Sequence, residues 1–380
     1  MNRIYLDHAA TTPVHPKVQE VINQTINSFP GNPSSIHDDG RKVKFLIEES
    51  REKIAALLGR EPAEIVFTSS ATESINSVLK SFFFKQLPQS ATFRSSTVEH
   101  HATLHTLNYL QKKGSQVVYE PVNRFGEVSE ISQVKSELNS FMIVNNEMGS
   151  ILPESVFQEL SNRNEILHLD GVQALGKIEL LGFERADFIS FSGHKINGPK
   201  GAGILIVKSG IEFEPLFHGG SQERNRRAGT ESVYQIAGLA EAVEIALLNR
   251  KNGFDHVFEL NQVVRSALLG LSHNITINSP ENGSPFILNF TVSSDEEEKI
   301  DGEALIMALD AKGISVSNGS ACASGSFEPS HVLKEIGLTD YESQATLRIS
   351  FSELTTREEI EIFVDVLDRS IKRMKSVNLI

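Results

Sequence analysis

Between Glu64 and Val207 the chain alternates short apolar runs with helical ones, and this limits the possible folds more than any other feature. Residues 64–68, 92–96, 116–119, 141–144, 166–169, 186–191 and 204–207 read as strands. Helical patterns at 74–84, 102–112, 130–138 and 153–163 separate them. Strands alternating with helices make βαβ units and a mostly parallel sheet. Such sheets bind ligands at the carboxyl ends of their strands. The residues at those ends are polar or small: Ser69-Ser70-Ala71-Thr72, Val98-Glu99-His100-His101, Asn145-Asn146-Glu147, Asp170-Gly171-Val172-Gln173 and Ser192-Gly193-His194-Lys195. Loops that merely connect can be polar too. A set holding histidines, asparagines, an aspartate, a glutamine and a lysine is what a site needs.

Two helices, at 16–29 and 37–58, precede the alternation, and Gly59 caps the second. A long helix begins after Glu231 and is expected to end near Asn249. Beyond it the character changes: a helix at 257–269, a strand at 286–290, a helix at 302–309, a Gly/Ser-rich loop at 317–326, a strand at 346–350 and a last helix from Arg357 to Met374. The expected division is a large domain at 16–249 and a smaller α+β domain formed by 1–15 and 250–380. With 380 residues, 39% hydrophobic, the chain can bury a core of that extent.

The net charge of -13 argues against nucleic-acid binding, which wants a basic face. No apolar run has membrane-spanning length. The first residues lack the charged and apolar regions of a signal peptide, and one cysteine cannot form an internal disulfide. A cytoplasmic location is expected.

Lys195 sits on a turn between two apolar strands, where partial burial would lower its pKa and suit a Schiff-base lysine. A snorkelling surface lysine is the plain alternative. The surrounding Gly193–Lys200 stretch fails as a P-loop, because Pro199-Lys200 stands where Lys-Ser/Thr is required. Asp170 could pair with a protonated cofactor nitrogen, as a pyridoxal phosphate pyridinium requires, or simply cap the turn that follows. Ser70–Ser74 offers hydroxyls and free amides to a phosphate, or is an ordinary capping turn. His100 could stack on a flat ring or be a hydrogen-bonded surface histidine. His101 and His105 have helical spacing, but no carboxylate or cysteine completes a zinc set, so no metal is expected. The lone Cys322, in the small polar run Ser317–Ser326, is better placed as a reactive thiol than as a core one. Arg348, inside a strand, could clamp a substrate carboxylate or pair with an internal glutamate.

Taken together, these stretches resemble a known family. They include Tyr-Leu-Asp-His-Ala-Ala-Thr-Thr at 5–12, Gly-Asn-Pro-Ser-Ser at 31–35, Phe-Thr-Ser-Ser-Ala-Thr-Glu-Ser at 67–74, Glu-His-His-Ala at 99–102 and Val-Asn-Asn-Glu-Met-Gly at 144–149. Asp-Gly-Val-Gln at 170–173, Ser-Gly-His-Lys-Ile-Asn-Gly-Pro-Lys-Gly at 192–201, Arg-Arg-Ala-Gly-Thr-Glu at 226–231 and Gly-Ser-Ala-Cys-Ala-Ser at 319–324 complete the set. Over almost its whole length the chain resembles the pyridoxal-phosphate-dependent cysteine desulfurases of the NifS/IscS-like group, in the class V aminotransferase superfamily.

The resemblance implies a fold-type I α/β transferase and a homodimer. It implies that Lys195 carries the cofactor and shuttles protons, Asp170 holds the ring nitrogen, Gln173 the ring hydroxyl and His100 the ring face. Ala71, Thr72, Ser192 and His194 would bind the phosphate, with Thr230 reaching in from a partner subunit. Asn146 and Arg348 would hold the carboxylate of L-cysteine. Cys322 would take its sulfur as a persulfide, leaving L-alanine, and pass it to an acceptor protein for iron–sulfur cluster assembly or thiolation. A selenocysteine lyase, or another class V lyase, is the alternative on the same scaffold. A non-enzymatic sulfur-transfer scaffold is disfavoured, because the site residues are all present. One departure is Ser232, where relatives often carry asparagine.

Overall fold

The computed structural model of the protein describes residues 3–85, 91–163, 165–180, 182–293, 300–318 and 329–377. Its strands are β1 (Ile4–Tyr5), β2 (Ile65–Thr68), β3 (Thr92–Ser96), β4 (Gln116–Glu120), β5 (Leu138–Met142), β6 (Ile166–Asp170), β7 (Phe188–Ser192), β8 (Gly203–Val207), β9 (Asn274–Ile277), β10 (Ile287–Ser293), β11 (Ile314–Ser315) and β12 (Thr346–Ser350).

Seven of them form one sheet in the order β2-β8-β7-β6-β5-β3-β4. The β4-β3-β5-β6-β7 block is parallel, and β8 runs antiparallel between β7 and β2. The inner strands are buried on both faces, as continuous apolar or small-residue runs should be in a covered sheet. Helices Ala71–Lys85 and His101–Lys112 follow β2 and β3, as the alternation predicts. At Gly203 an added Cβ would lie 2.8 Å from the Ser70 backbone, so glycine is what lets β8 run beside the turn after β2.

A second sheet, β12-β10-β9, is antiparallel, and β1 pairs in parallel with β11. The N-terminal segment thereby joins the elements near residue 314 and then turns toward the large sheet. Thr12 donates its amide to the His194 carbonyl at 2.9 Å, and Asn197 donates its amide to Thr12 Oγ1 at 2.8 Å. Asn197 takes φ 59°, a left-handed value asparagine tolerates better than most residues. The turn that carries Lys195 is thus clamped from both sides.

Two expectations are corrected. Residues 130–137 form no helix, and β5 starts at Leu138 rather than Phe141. Their backbone is engaged by a buried ion network: Arg94 binds Glu120 at 3.0 Å and Glu165 at 2.7 Å, and Ser132 and Ser136 donate their amides to those two glutamates. Groups a helix would have used are taken. Second, the helices expected on either side of Asn249 are one helix, Val233–Leu269. The polar stretch Asn249–Gly253 looks like a terminus, yet the helix runs through it, tolerating one glycine at about 1 kcal/mol. Val233, Leu239 and Val243 of this helix join the core beneath the large sheet, while Val257, Val264 and Leu268 join the core of the smaller one. Strands β1 and β11 carry two residues each, too few to show a period, so the hydrophobic pattern does not announce them. No helix among the described residues is long and apolar enough to cross a membrane.

Candidate active site

The ends of β3, β5, β6 and β7 meet the turn after β2 around a cavity of about 310 Å³. Of the residues expected in a site, Ala71, Thr72, His100, Asn146, Asp170, Gln173, Ser192, His194, Lys195 and Arg348 all line it. Thr230 does not, and is exposed. Cys322 lies outside the described residues. Its flanks are described: Ser317 exchanges backbone hydrogen bonds with Arg348 at 3.1 and 2.6 Å, and His331 lines the cavity.

Lys195 ends the one-turn helix Gly193–Lys195 that follows β7. Its Nζ donates to the carbonyl oxygens of Ala9 at 2.6 Å and Ala10 at 2.7 Å. Burial, chiefly, and the Arg348 cation push its pKa down to about 8, against the pull of Asp7 and Asp170. An amine so placed is a nucleophile near neutral pH.

Asp170 is the last residue of β6 and is buried. Burial pushes its carboxyl up to about 6, although the Val172 amide, donating at 3.0 Å, and Lys195 favour the anion. A buried carboxylate with little compensation wants a cationic partner. Beneath it, His168 is bonded on both ring nitrogens, to Ser140 at 2.8 Å and Ser190 at 2.9 Å. Burial pushes it down to about 3, so it is a neutral structural group.

His100 caps the helix His101–Lys112, its Nδ1 accepting from the Ala102 amide at 3.1 Å, so the neutral ring carries its proton on Nε2. Its exposed surface faces the cavity, and burial, chiefly, with Lys195 and neighbouring histidines pushes it down to about 4. Ala71 and Thr72, at the start of helix Ala71–Lys85, line the cavity with Ser192 and His194, while the Glu73 and Ser74 amides that follow donate to Ser70 Oγ at 3.3 Å and to the Ser70 carbonyl at 3.1 Å; a helix N-terminus so placed favours an anion. Arg348, buried on β12, donates to the Asn146 carbonyl at 3.0 Å and to Asp7 Oδ1 at 2.9 Å. Its internal carboxylate is an aspartate, where the alternative to a substrate clamp names a glutamate.

Several site groups escaped the sequence reading. Ala9 and Ala10 act only through carbonyls, which any residue carries, so no side-chain signal marks them. Glu147, named among the strand-end residues but given no role, lines the cavity and accepts from Ser330 Oγ at 2.6 Å. His331 donates to the Glu99 carbonyl at 3.0 Å and packs on His101, ring centres 4.7 Å apart. Lys177 donates to Gln173 Oε1 at 2.6 Å, within a turn whose sequence carries no period that would mark the pair.

The cavity pairs an amine with a buried carboxylate at its floor, an aromatic ring at its rim and an anion cradle at one end. That donor set fits a flat, basic heteroaromatic cofactor with a phosphate tail, and the fold and site together define a pyridoxal-phosphate enzyme of fold type I. The model of the aminotransferase class-V family matches residues 4–363, and the chain belongs to that family, whose members depend on pyridoxal phosphate. It is 37% identical to a cysteine desulfurase IscS of Dictyoglomus turgidum, over 99% of this chain and 96% of the relative. A solved NifS-like protein superposes with a TM-score of 0.89 at 35% identity, covering 98% of this chain and 100% of its own. A structure described as SspA in complex with cysteine superposes with a TM-score of 0.78 at 31% identity, over 93% of this chain and 100% of that one.

Proposed function

We propose that the protein is a cysteine desulfurase that converts L-cysteine to L-alanine and holds the sulfur as a persulfide on Cys322. The observation that carries this is where the flanks of the Cys322 segment are held: Ser317 is hydrogen-bonded through its backbone to Arg348, which lines the cavity beside Lys195, and His331 lines the same cavity. When bound, pyridoxal phosphate supplies an electrophilic carbon for the substrate amine and an electron sink for the bonds next to it. The chain's own residues do the rest. Ala71, Thr72, Ser192 and His194 would bind the phosphate, Asp170 would keep the ring nitrogen protonated, Gln173 would bond the ring oxygen and His100 would pack on the ring. Lys195 moves protons at the substrate's carbons. Asn146 and Arg348 orient the substrate carboxylate. The Cys322 thiol takes the substrate sulfur atom, so cysteine and thiol become alanine and persulfide with atoms balanced.

Residues 16–249 are read as the cofactor-holding unit, and 1–15 with 250–380 as the unit that carries Cys322. The exposed Thr230 is read as serving the phosphate of a second subunit in a homodimer. The persulfide passes to a sulfur-acceptor protein, in iron–sulfur cluster assembly or thiolation, in the cytoplasm. The class of cysteine desulfurases among the relatives and the cysteine-bound neighbour support this reading.

The test is to incubate the protein with pyridoxal phosphate, L-cysteine and a thiol reductant. Alanine and sulfide should form in equal amounts. Cys322→Ser should keep the yellow colour and release no sulfide. A wild-type protein that forms no alanine refutes the activity, and a serine variant that releases sulfide at the full rate refutes the role of Cys322.

A further inference from the structure

Lys177 is a second buried lysine, 8% exposed, behind the wall of the cavity. Its Nζ donates to Gln173 Oε1 at 2.6 Å, and the Phe286 ring centre lies 6.0 Å from the same nitrogen. Gln173 in turn donates its Nε2 to the Ala9 carbonyl at 2.8 Å, and Ala9 is one of the two carbonyls that hold Lys195. The two lysines also border a small space of about 30 Å³, shared with Glu353. Burying a lysine costs stability, so this one should be serving something.

A lysine ammonium donates and cannot accept, so Gln173 must turn its carbonyl oxygen toward Lys177. The amide NH2 is then turned toward Ala9 and the cavity, with one N–H left over after the bond to Ala9. We propose that Lys177 is a positioning residue: it fixes the orientation of the Gln173 amide so that the cofactor's ring oxygen always meets an N–H donor and never a lone pair. This rests on the reading of the cavity as the pyridoxal phosphate site. A donor at that oxygen favours its ionised form, and so sets the titration of the bound chromophore. Burial, chiefly, pushes Lys177 down to about 7, with Lys195 and Arg348 acting the same way and Glu353 opposing them. His8 and His194 face it as well, and its charge depresses both. The lock therefore loosens as pH rises through neutrality, when the amine can also accept.

A double-mutant cycle tests this. Wild type, Lys177→Met, Gln173→Ala and the double variant are loaded with pyridoxal phosphate, and the visible band is titrated with pH and with cofactor concentration. Lys177→Met should move the midpoint by about one pH unit and weaken cofactor binding about tenfold. In the Gln173→Ala background the same change should add nothing. Lys177→Arg, which keeps a donor-only head, should resemble wild type. The circular dichroism of the apo-proteins checks the fold, and Lys177→Gln, which can accept as well as donate, replaces methionine in the cycle where that variant does not fold. The proposal is overturned when the Lys177 variant leaves the band unmoved, when arginine shifts it as far as methionine, or when the shift persists in full without Gln173. Failure of the underlying reading looks different: wild type itself takes up no pyridoxal phosphate, or borohydride fixes it on a lysine other than Lys195.

Discussion

The Nζ of Lys195 lies 2.6 Å from the carbonyl oxygen of Ala9, across 186 residues of chain. Two carbonyls at this spot hold the amine beside the cavity without neutralising it, since carbonyls bring partial charge only. Burial is therefore free to depress the pKa, where an adjacent carboxylate would have raised it.

The rate at which apo-protein takes up pyridoxal phosphate should follow the free-amine fraction of Lys195. That fraction rises about tenfold per pH unit below the pKa and levels off above about 8. Stopped-flow absorbance across the alkaline range measures it. A rate that kept climbing to the range of an ordinary lysine would show the amine to be solvated.

Asp170→Asn should trade function for stability. The folded-state pKa of this acid is raised from 3.8 to about 6. The charged form is thus disfavoured in the fold, and that cost is complete above pH 6 and absent below the unfolded value. Asparagine, still able to accept from Val172, should stabilise the apo-protein above pH 6 by up to about 3 kcal/mol, with no gain in acid. The same change should weaken cofactor binding, because the ring nitrogen loses its anion. Urea unfolding of the apo-protein on both sides of pH 6 checks the first half.

Arg348→Lys should raise the KM for cysteine about tenfold or more, with a smaller loss in kcat. A lysine keeps the charge but cannot hold Asp7, the Asn146 carbonyl and a substrate carboxylate with one planar fork. Steady-state kinetics separate the two parameters, and an unchanged KM would remove Arg348 from substrate binding.

Arg94→Met should destabilise the fold by about 3–5 kcal/mol, because Glu120 and Glu165 would be left buried without their cation. Denaturant titration reads this directly. The visible spectrum of the loaded protein should stay put, since the network lies away from the cavity lining.

Much of this architecture could be read from the sequence, and the reason is physical. Strand ends in a parallel sheet are fixed by hydrophobic period, so Asp170 and Lys195 could be placed at one edge from the pattern alone. The roles expected of the site's side chains came instead from the resemblance of the strand-end motifs to a known family, because each residue alone also had a plain structural reading. What escaped was of two kinds. Ala9 and Ala10 work through backbone carbonyls and leave no trace. The segment 130–137 and the helix through Gly253 obey long-range partners, Arg94 in one case and two cores in the other, which outweigh local preference. Lys177 escaped for a different reason: a buried lysine reads like an exposed one until its surroundings are known.

The join between β1 and β11, followed by the Asp7–Arg348 pair 341 residues apart, has a temporal meaning. During synthesis the carbonyls that hold Lys195 emerge first, yet the strand partner that anchors their segment arrives only in the last fifth of the chain. Closing so long a loop is slow and comes late. A nascent chain can therefore display Asp170 and Lys195 while still being unable to keep a cofactor, and uptake of the yellow colour becomes a report that folding has finished.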